Sequence, residues 1–186
     1  MDKEKNLELY LKKLSQLGVD VSNVSDNFKE LLMNASFVPQ DDYGNAHKGS
    51  LLEIVLRVLT PYAIKLNEML PAEVQVDKNE LIKICMLHHI SKAIRMVPND
   101  NEWEMQKLKK MFKYDENQPS IKTGLHSAVL AAQEFSVPVT AEFMEAMTIN
   151  DRDLSDNQAR FHCSTMASIV RMANEMTYIQ INQKKQ

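Results

Sequence analysis

Residues 77–92 read DKNELIKICMLHHISK. Asp77 followed by Glu80 makes a capping-box-like start, since a carboxylate or carboxamide three residues on can satisfy backbone donors at a helix beginning. Leu81, Ile84, Cys85, Leu87 and Ile90 then recur at helical spacing and predict a buried helix. His88, His89 and Lys92 lie at its far end, so the most chemically capable side chains stand at the end of a core helix.

Working outward, the chain reads as helical throughout. Leu7, Leu11, Leu14 and Leu17, with Tyr10, predict a first amphipathic helix closed by Gly18 at a C′ position. A second follows around Phe28 to Met33, and residues 34–49 read as a loop broken by Pro39, Asp41-Asp42, Gly44 and Gly49. SLLEIVLRVLTPYAIKLNEML, from Ser50, predicts a long helix kinked at Pro61 and ended by Pro71. Val97 to Asn101 reads as a loop. Residues 102–118 read ambiguously, with Trp103, Leu108, Met111 and Phe112 able to line a helix and Tyr114 to Pro119 a turn. Residues 123–135 predict a helix with Ala128, Val129, Ala132 and Phe135 on its inner face. Thr140 caps the next, with Val139 stapled to Met144. The last carries Met166, Ile169, Val170, Ala173 and Met176, and the tail INQKKQ is polar. No strand-like alternation stands out.

Composition fits one globular domain. The chain has 186 residues, 44% hydrophobic and 25% charged, with a formal net charge of -3. That balance does not draw in nucleic acid or anionic membrane. No apolar run approaches the roughly 18 residues of a membrane span, and MDKEKNLELY lacks the apolar core of a signal peptide. A cytoplasmic protein is expected, with Cys85 and Cys163 as buried free thiols. Twelve methionines against four glycines suit adaptable core packing, with a promiscuous binding surface as the rarer use. Glycine-rich phosphate loops, G-x-S-x-G, Cys-x-x-Cys and H-E-x-x-H are absent. The basic run Lys107 to Lys113 is offset by Glu102, Glu104, Asp115 and Glu116 and reads as a solvated face.

Four segments arrive in a telling order: Gly49-Ser50-Leu51-Leu52-Glu53-Ile54-Val55-Leu56, Met86-Leu87-His88-His89-Ile90-Ser91-Lys92, Thr123-Gly124-Leu125-His126-Ser127-Ala128, and Ile169-Val170-Arg171-Met172-Ala173-Asn174-Glu175-Met176. Together they resemble the HD-domain superfamily over residues 45–177. The resemblance implies an all-α, HD-domain-like helical bundle, here with two extra N-terminal helices in residues 1–33 and a polar tail at 178–186. It also implies a His, a His-Asp pair and a late Asp around one or two metal ions that activate water against a phosphate ester. Measured against the family pattern, the first ligand position is Ile54. His88 is kept, the pair's Asp is His89, and the late Asp is Asn174. The optional histidine falls on His126 or Thr123. The loop Asn150-Asp151-Arg152-Asp153 sits where members carry another His, with Asn150 the best match.

Isoleucine has no lone pair, and asparagine offers a neutral oxygen where an anion is wanted. Such a set holds Mg²⁺ or Mn²⁺ poorly, although His88, His89 and His126 leave Zn²⁺ or Ni²⁺ open. No catalytic residue and no cofactor are therefore expected. The two histidines are read as partly buried and satisfied by backbone carbonyls, with a surviving metal site or a metal-free ligand pocket as alternatives. Lys92, one turn past His88, is read as a solvated lysine or, with Arg152, as an anion binder. His47 is a surface histidine that a loop could carry into the cleft. His162 and Cys163 point apart on a helix and share no metal.

Three functions follow. A non-catalytic HD-like domain acting through a protein partner or its own oligomer comes first, with the N-terminal helices as docking surfaces. A metal-free sensor of a nucleotide or another anion is second. A divalent-metal phosphohydrolase using His47, His88, His89, His126, Asp151 and Asp153 is third. The chain also resembles, in style, HD-like reading frames of bacteria and bacteriophages.

Overall fold

The computed structural model describes residues 2–40, 44–151 and 163–183, and these are mostly helical. The helix starts follow the caps. Asp2, Ser25, Asp77, Asn101, Thr140 and Ser164 each accept a backbone N–H with their side chain. Each thereby satisfies a donor that the first helical turn leaves orphaned. They open α1 (Lys3–Gln16), α2 (Asp26–Asn34), α5 (Lys78–Leu87), α7 (Glu102–Leu108), α9 (Ala141–Thr148) and α10 (Thr165–Ile181). Gly18 closes α1 in the left-handed region at φ 78, as its position after the leucine face predicts.

The segment around Pro61 runs as α3 (Ser50–Ile54), a π-helical turn (Val55–Leu59) and α4 (Thr60–Glu68). The irregularity therefore lies one turn ahead of the expected kink. A proline ring crowds the carbonyl four residues before it, which is Arg57 here. The wider turn, closed by Thr60 N–H donating to the Val55 carbonyl, opens the helix at that point.

One shared core holds the domain. α10 packs on α4, α5 and α9, α4 on α5, and α8 (Thr123–Phe135) on α9. Leu81, Ile84, Cys85, Met86 and Leu87 of α5 are all buried, as are Ile169, Val170 and Ala173 of α10. The inner face of α8 differs from the predicted one. Gly124, Ser127, Ala128, Leu130, Ala131 and Phe135 are buried, whereas Val129 is exposed and Ala132 half-buried. Met176 likewise faces outward on α10. Both cysteines are free, Cys85 buried and Cys163 half-buried.

The N-terminal helices belong to the same core. Tyr10, Leu14, Phe28 and Leu32 are buried in it, and α1 contacts α3 and α5 while α2 contacts α3 and α6 (Lys92–Arg95). Tyr10 Oη donates to the Met86 carbonyl at 2.8 Å, and Phe28 meets Phe135 edge-on at 6.1 Å. Leu7, Leu11, Leu17 and Leu31 pack half-buried against this core, while Leu9 stays exposed.

Two short strands, β1 (Met96–Pro98) and β2 (Phe112–Tyr114), pair antiparallel with Val97 opposite Lys113. β1 takes in Val97 and Pro98 of the loop expected at 97–101, while Asn99 to Asn101 lie in neither helix nor strand, and 102–118 resolves as α7, a strand and then a turn with Gln118 N–H on the Asp115 carbonyl. Three-residue strands are too short to show a two-residue period, so only the tertiary pairing reveals them. No residue of α7 is buried, and Trp103 is 60% exposed.

Candidate functional site

Helix α5 stops at Leu87, earlier than the apolar run through Ile90 predicts. The turn His88–Ser91 is built on i→i+3 bonds, with Ile90 N–H to the Leu87 carbonyl and Lys92 N–H to that of His89. It is pinned to the first turn of α8. Ser91 N–H donates to Ser127 Oγ at 3.1 Å, and Ser91 Oγ donates to the Thr123 carbonyl at 2.9 Å. This break buries both histidines, His88 at 1% exposure and His89 at 4%.

Their partners are side-chain amides, not the backbone carbonyls expected. His89 Nε2 lies 2.7 Å from Asn174 Oδ1 on α10, and Asn150 Nδ2 lies 2.8 Å from His88 Nε2. An amide oxygen only accepts, so His89 carries its proton on Nε2. An amide nitrogen only donates, so His88 Nε2 is bare and its proton is on Nδ1. The rings meet edge-on, centroids 4.7 Å apart, and Phe37 packs against His89 at 4.9 Å. Nδ1 of each ring is buried without a partner, and the same holds for His126.

Lys92 departs furthest from its predicted role. It is buried, and its ammonium donates to the Phe37 carbonyl at 2.8 Å and to Tyr178 Oη at 2.9 Å. It also sits 3.8 Å from the centroid of the Phe37 ring. This lysine ties the 34–49 loop to α10 and is neither solvated nor open to the cleft. Burial, reinforced by the Lys92 charge, pushes His88 down to about 4 from 6.5. The same two causes, in the same order, hold His89 well below its ordinary range. Burial and then the charge of Arg95 lower His126.

Beyond Asn150 the surface opens into a cleft of about 390 Å³ lined by Arg95, Tyr114, Ser120, Lys122, Thr123 and Asp151, among others. Arg95 Nη1 donates to the Ile121 carbonyl, and its guanidinium carbon lies 5.5 Å from the centroid of the Tyr114 ring. Asp151 turns inward. Its carboxylate accepts Gly124 N–H at 3.0 Å and Leu125 N–H at 2.8 Å, capping α8. Gly124 permits this close approach, because a Cβ there would lie 2.0 Å from the Met147 carbonyl oxygen.

Of the residues singled out in the sequence, His88, His89, Asn150 and Asn174 come together. Ile54 is buried and lines a second cleft with Asn45, Glu53, Arg57, Val58 and Ile181. His47 pairs with Glu53 at 3.3 Å on the surface. Thr123 and Asp151 stand at the α8 start. Arg152, Asp153 and His162 lie outside the described residues. Arg95, Lys122, Phe37 and Tyr178 were not singled out. Only their tertiary surroundings mark them, since isolated cations and aromatics carry no spacing signal.

The residues present do not fit a hard cation. The four convergent side chains are two imidazoles and two neutral amides, with no carboxylate to offset the charge of Mg²⁺ or Mn²⁺. Among the described residues no three His, Cys, Asp or Glu side chains come together as a metal-binding group, so His126 does not complete a set with His88 and His89. Among them, too, no helix is long and apolar enough to cross a membrane. Comparison of the chain with family models, curated proteins and solved structures finds no match.

Proposed function

We propose that this chain is an HD-like helical domain that does no catalysis and works through protein contacts, as an adaptor, regulator or assembly component in a cytoplasmic or bacteriophage setting. The observation behind it is the pair of buried amide–imidazole hydrogen bonds, Asn150 to His88 and His89 to Asn174. At the positions where the resemblance expects metal ligands, the Nε2 atom of each imidazole is paired with a neutral side-chain amide instead. The depressed imidazoles stay uncharged at neutral pH and form a packed polar core in place of a reactive centre. The outer face of α10 fits a contact role, because Met172, Met176 and Ile179 stand exposed at i, i+4 and i+7, the spacing with which helices enter grooves.

A second reading, a metal-free sensor of a nucleotide or other anion, draws on the Arg95–Lys122 cleft. The test for both against a hydrolase is metal content of the purified protein by mass spectrometry, with p-nitrophenyl phosphate turnover before and after chelation. The expected result is no stoichiometric metal and no turnover. A bound transition metal that disappears in His88→Ala, together with chelator-sensitive hydrolysis, would overturn the non-catalytic assignment.

A further inference from the structure

The chain is acidic overall, yet two cations beside the histidine site have no acidic partner among the described residues. Several lysines elsewhere are matched by a carboxylate, among them Lys78 with Glu68, Lys110 with Glu104 and Lys113 with Asp100. Arg95 and Lys122 line one cleft, and among the described residues neither has a carboxylate within ion-pair distance. Lys122 Nζ donates to the backbone carbonyl of Asp151 at 2.5 Å, which is not an ion pair. The Asp151 carboxylate stands in the same cleft but is turned to the start of α8, where its two oxygens accept the Gly124 and Leu125 N–H groups.

The donors are held open. Arg95 is fixed through Nη1 on the Ile121 carbonyl, which leaves Nε and Nη2 of its planar fork for a carboxylate. The cleft adds the hydroxyls of Ser120, Thr123 and Tyr114. The surface then changes character along α8. Leu125 and Val129, one turn apart and 42% and 40% exposed, continue outward from Lys122. Cations followed by an apolar strip ask for the complementary order in a ligand.

We infer that the Arg95–Lys122 cleft docks an acidic segment of a partner protein, its carboxylates on these two cations and its following apolar side chains along Leu125 and Val129. This rests on the protein-contact assignment and names the partner's chemistry. Complementary charge gives such a contact its on-rate and register, and the aliphatic strip gives it hold.

The test is fluorescence anisotropy on the full chain with a labelled peptide of four glutamates followed by alternating leucine and alanine. A twin peptide carries glutamine for glutamate, and inorganic phosphate is the third probe. The acidic peptide should bind below about 1 mM, weaken as salt screens the contact, and lose roughly threefold to tenfold in affinity with Lys122→Gln or Arg95→Gln. Lys122 is exposed, so its variant keeps the fold even if Arg95→Gln does not. Lys109→Gln, exposed and outside the cleft, should change nothing. Equal binding of the two peptides, or none, overturns the inference. So does phosphate binding that Lys122→Gln abolishes while the peptide stays free, which would make this a small-anion site. Any of these results without metal or turnover leaves the non-catalytic assignment standing. Metal and turnover would remove that assignment whatever the peptide does.

Discussion

Acid should unfold this protein ahead of its carboxylates, and His88 sets the scale. Its imidazole is held at about 4 in the folded state against 6.5 for an ordinary one. The unfolded chain therefore takes up its proton first as the pH falls. The stability lost begins below about pH 6.5, grows toward pH 4 and then levels off. The gap of about 2.5 pH units, at ~1.4 kcal/mol each, sets a ceiling of about 3.4 kcal/mol, of which about 2 kcal/mol is already gone at pH 5. His89, depressed in the same direction by burial and by Lys92, adds to this loss. Urea unfolding of the wild type and of His88→Gln/His89→Gln at about pH 8, 6 and 5 isolates the imidazoles from the carboxylates common to both. The wild type should lose at least about 2 kcal/mol more than the variant across that range. Equal losses would mean that the folded histidines protonate freely, and the buried neutral pair would have to be abandoned.

Lys92→Met removes the cation that helps depress both imidazoles, so their NMR titration midpoints should rise. It also leaves the Phe37 carbonyl unpaired, at a cost of about 1–2 kcal/mol at neutral pH. Unmoved midpoints would show that the histidines do not feel this charge. Gly124→Ala drives a methyl against the Met147 carbonyl and the Asp151 carboxylate. Thermal unfolding should show a loss of about 3 kcal/mol, a drop in Tm of roughly 6–12 °C, and a change of a degree or less would refute the contact. Tyr10→Phe deletes the donor to the Met86 carbonyl and should cost about 1–2 kcal/mol in urea unfolding without altering the pH dependence.

Much of the scaffold was legible from short-range chemistry. Thr140 and Asp77 announce their helices because a cap is decided within three residues. Gly18 closes α1 for the same reason. Which side of a helix faces inward is decided by neighbours, so the spacing points Val129 inward where the fold buries Leu130 and Ala131. The site was legible as a set of positions but not as a set of bonds. His88, His89, Asn150 and Asn174 could be lined up from their segments. That each imidazole would take an amide depends on α5 stopping at Leu87, and the Ser91–Ser127 staple that fixes the stop joins residues 36 apart. Lys92 departs from its expected exposure for a related reason. Lysine is rarely fully buried, and only the convergence of the Phe37 carbonyl and Tyr178 explains why this one is.

The bond from Tyr10 to Met86 spans 76 positions of sequence. During synthesis α1 and α2 emerge long before the helices that will cover them, and their leucine and phenylalanine faces must wait in water or against a chaperone. The opening thirty-odd residues therefore share a core with segments far along the chain, at Met86 and at Phe135. Cutting them away to obtain a minimal domain would bare Met86 and Phe135 and yield a chain that associates with itself instead of folding.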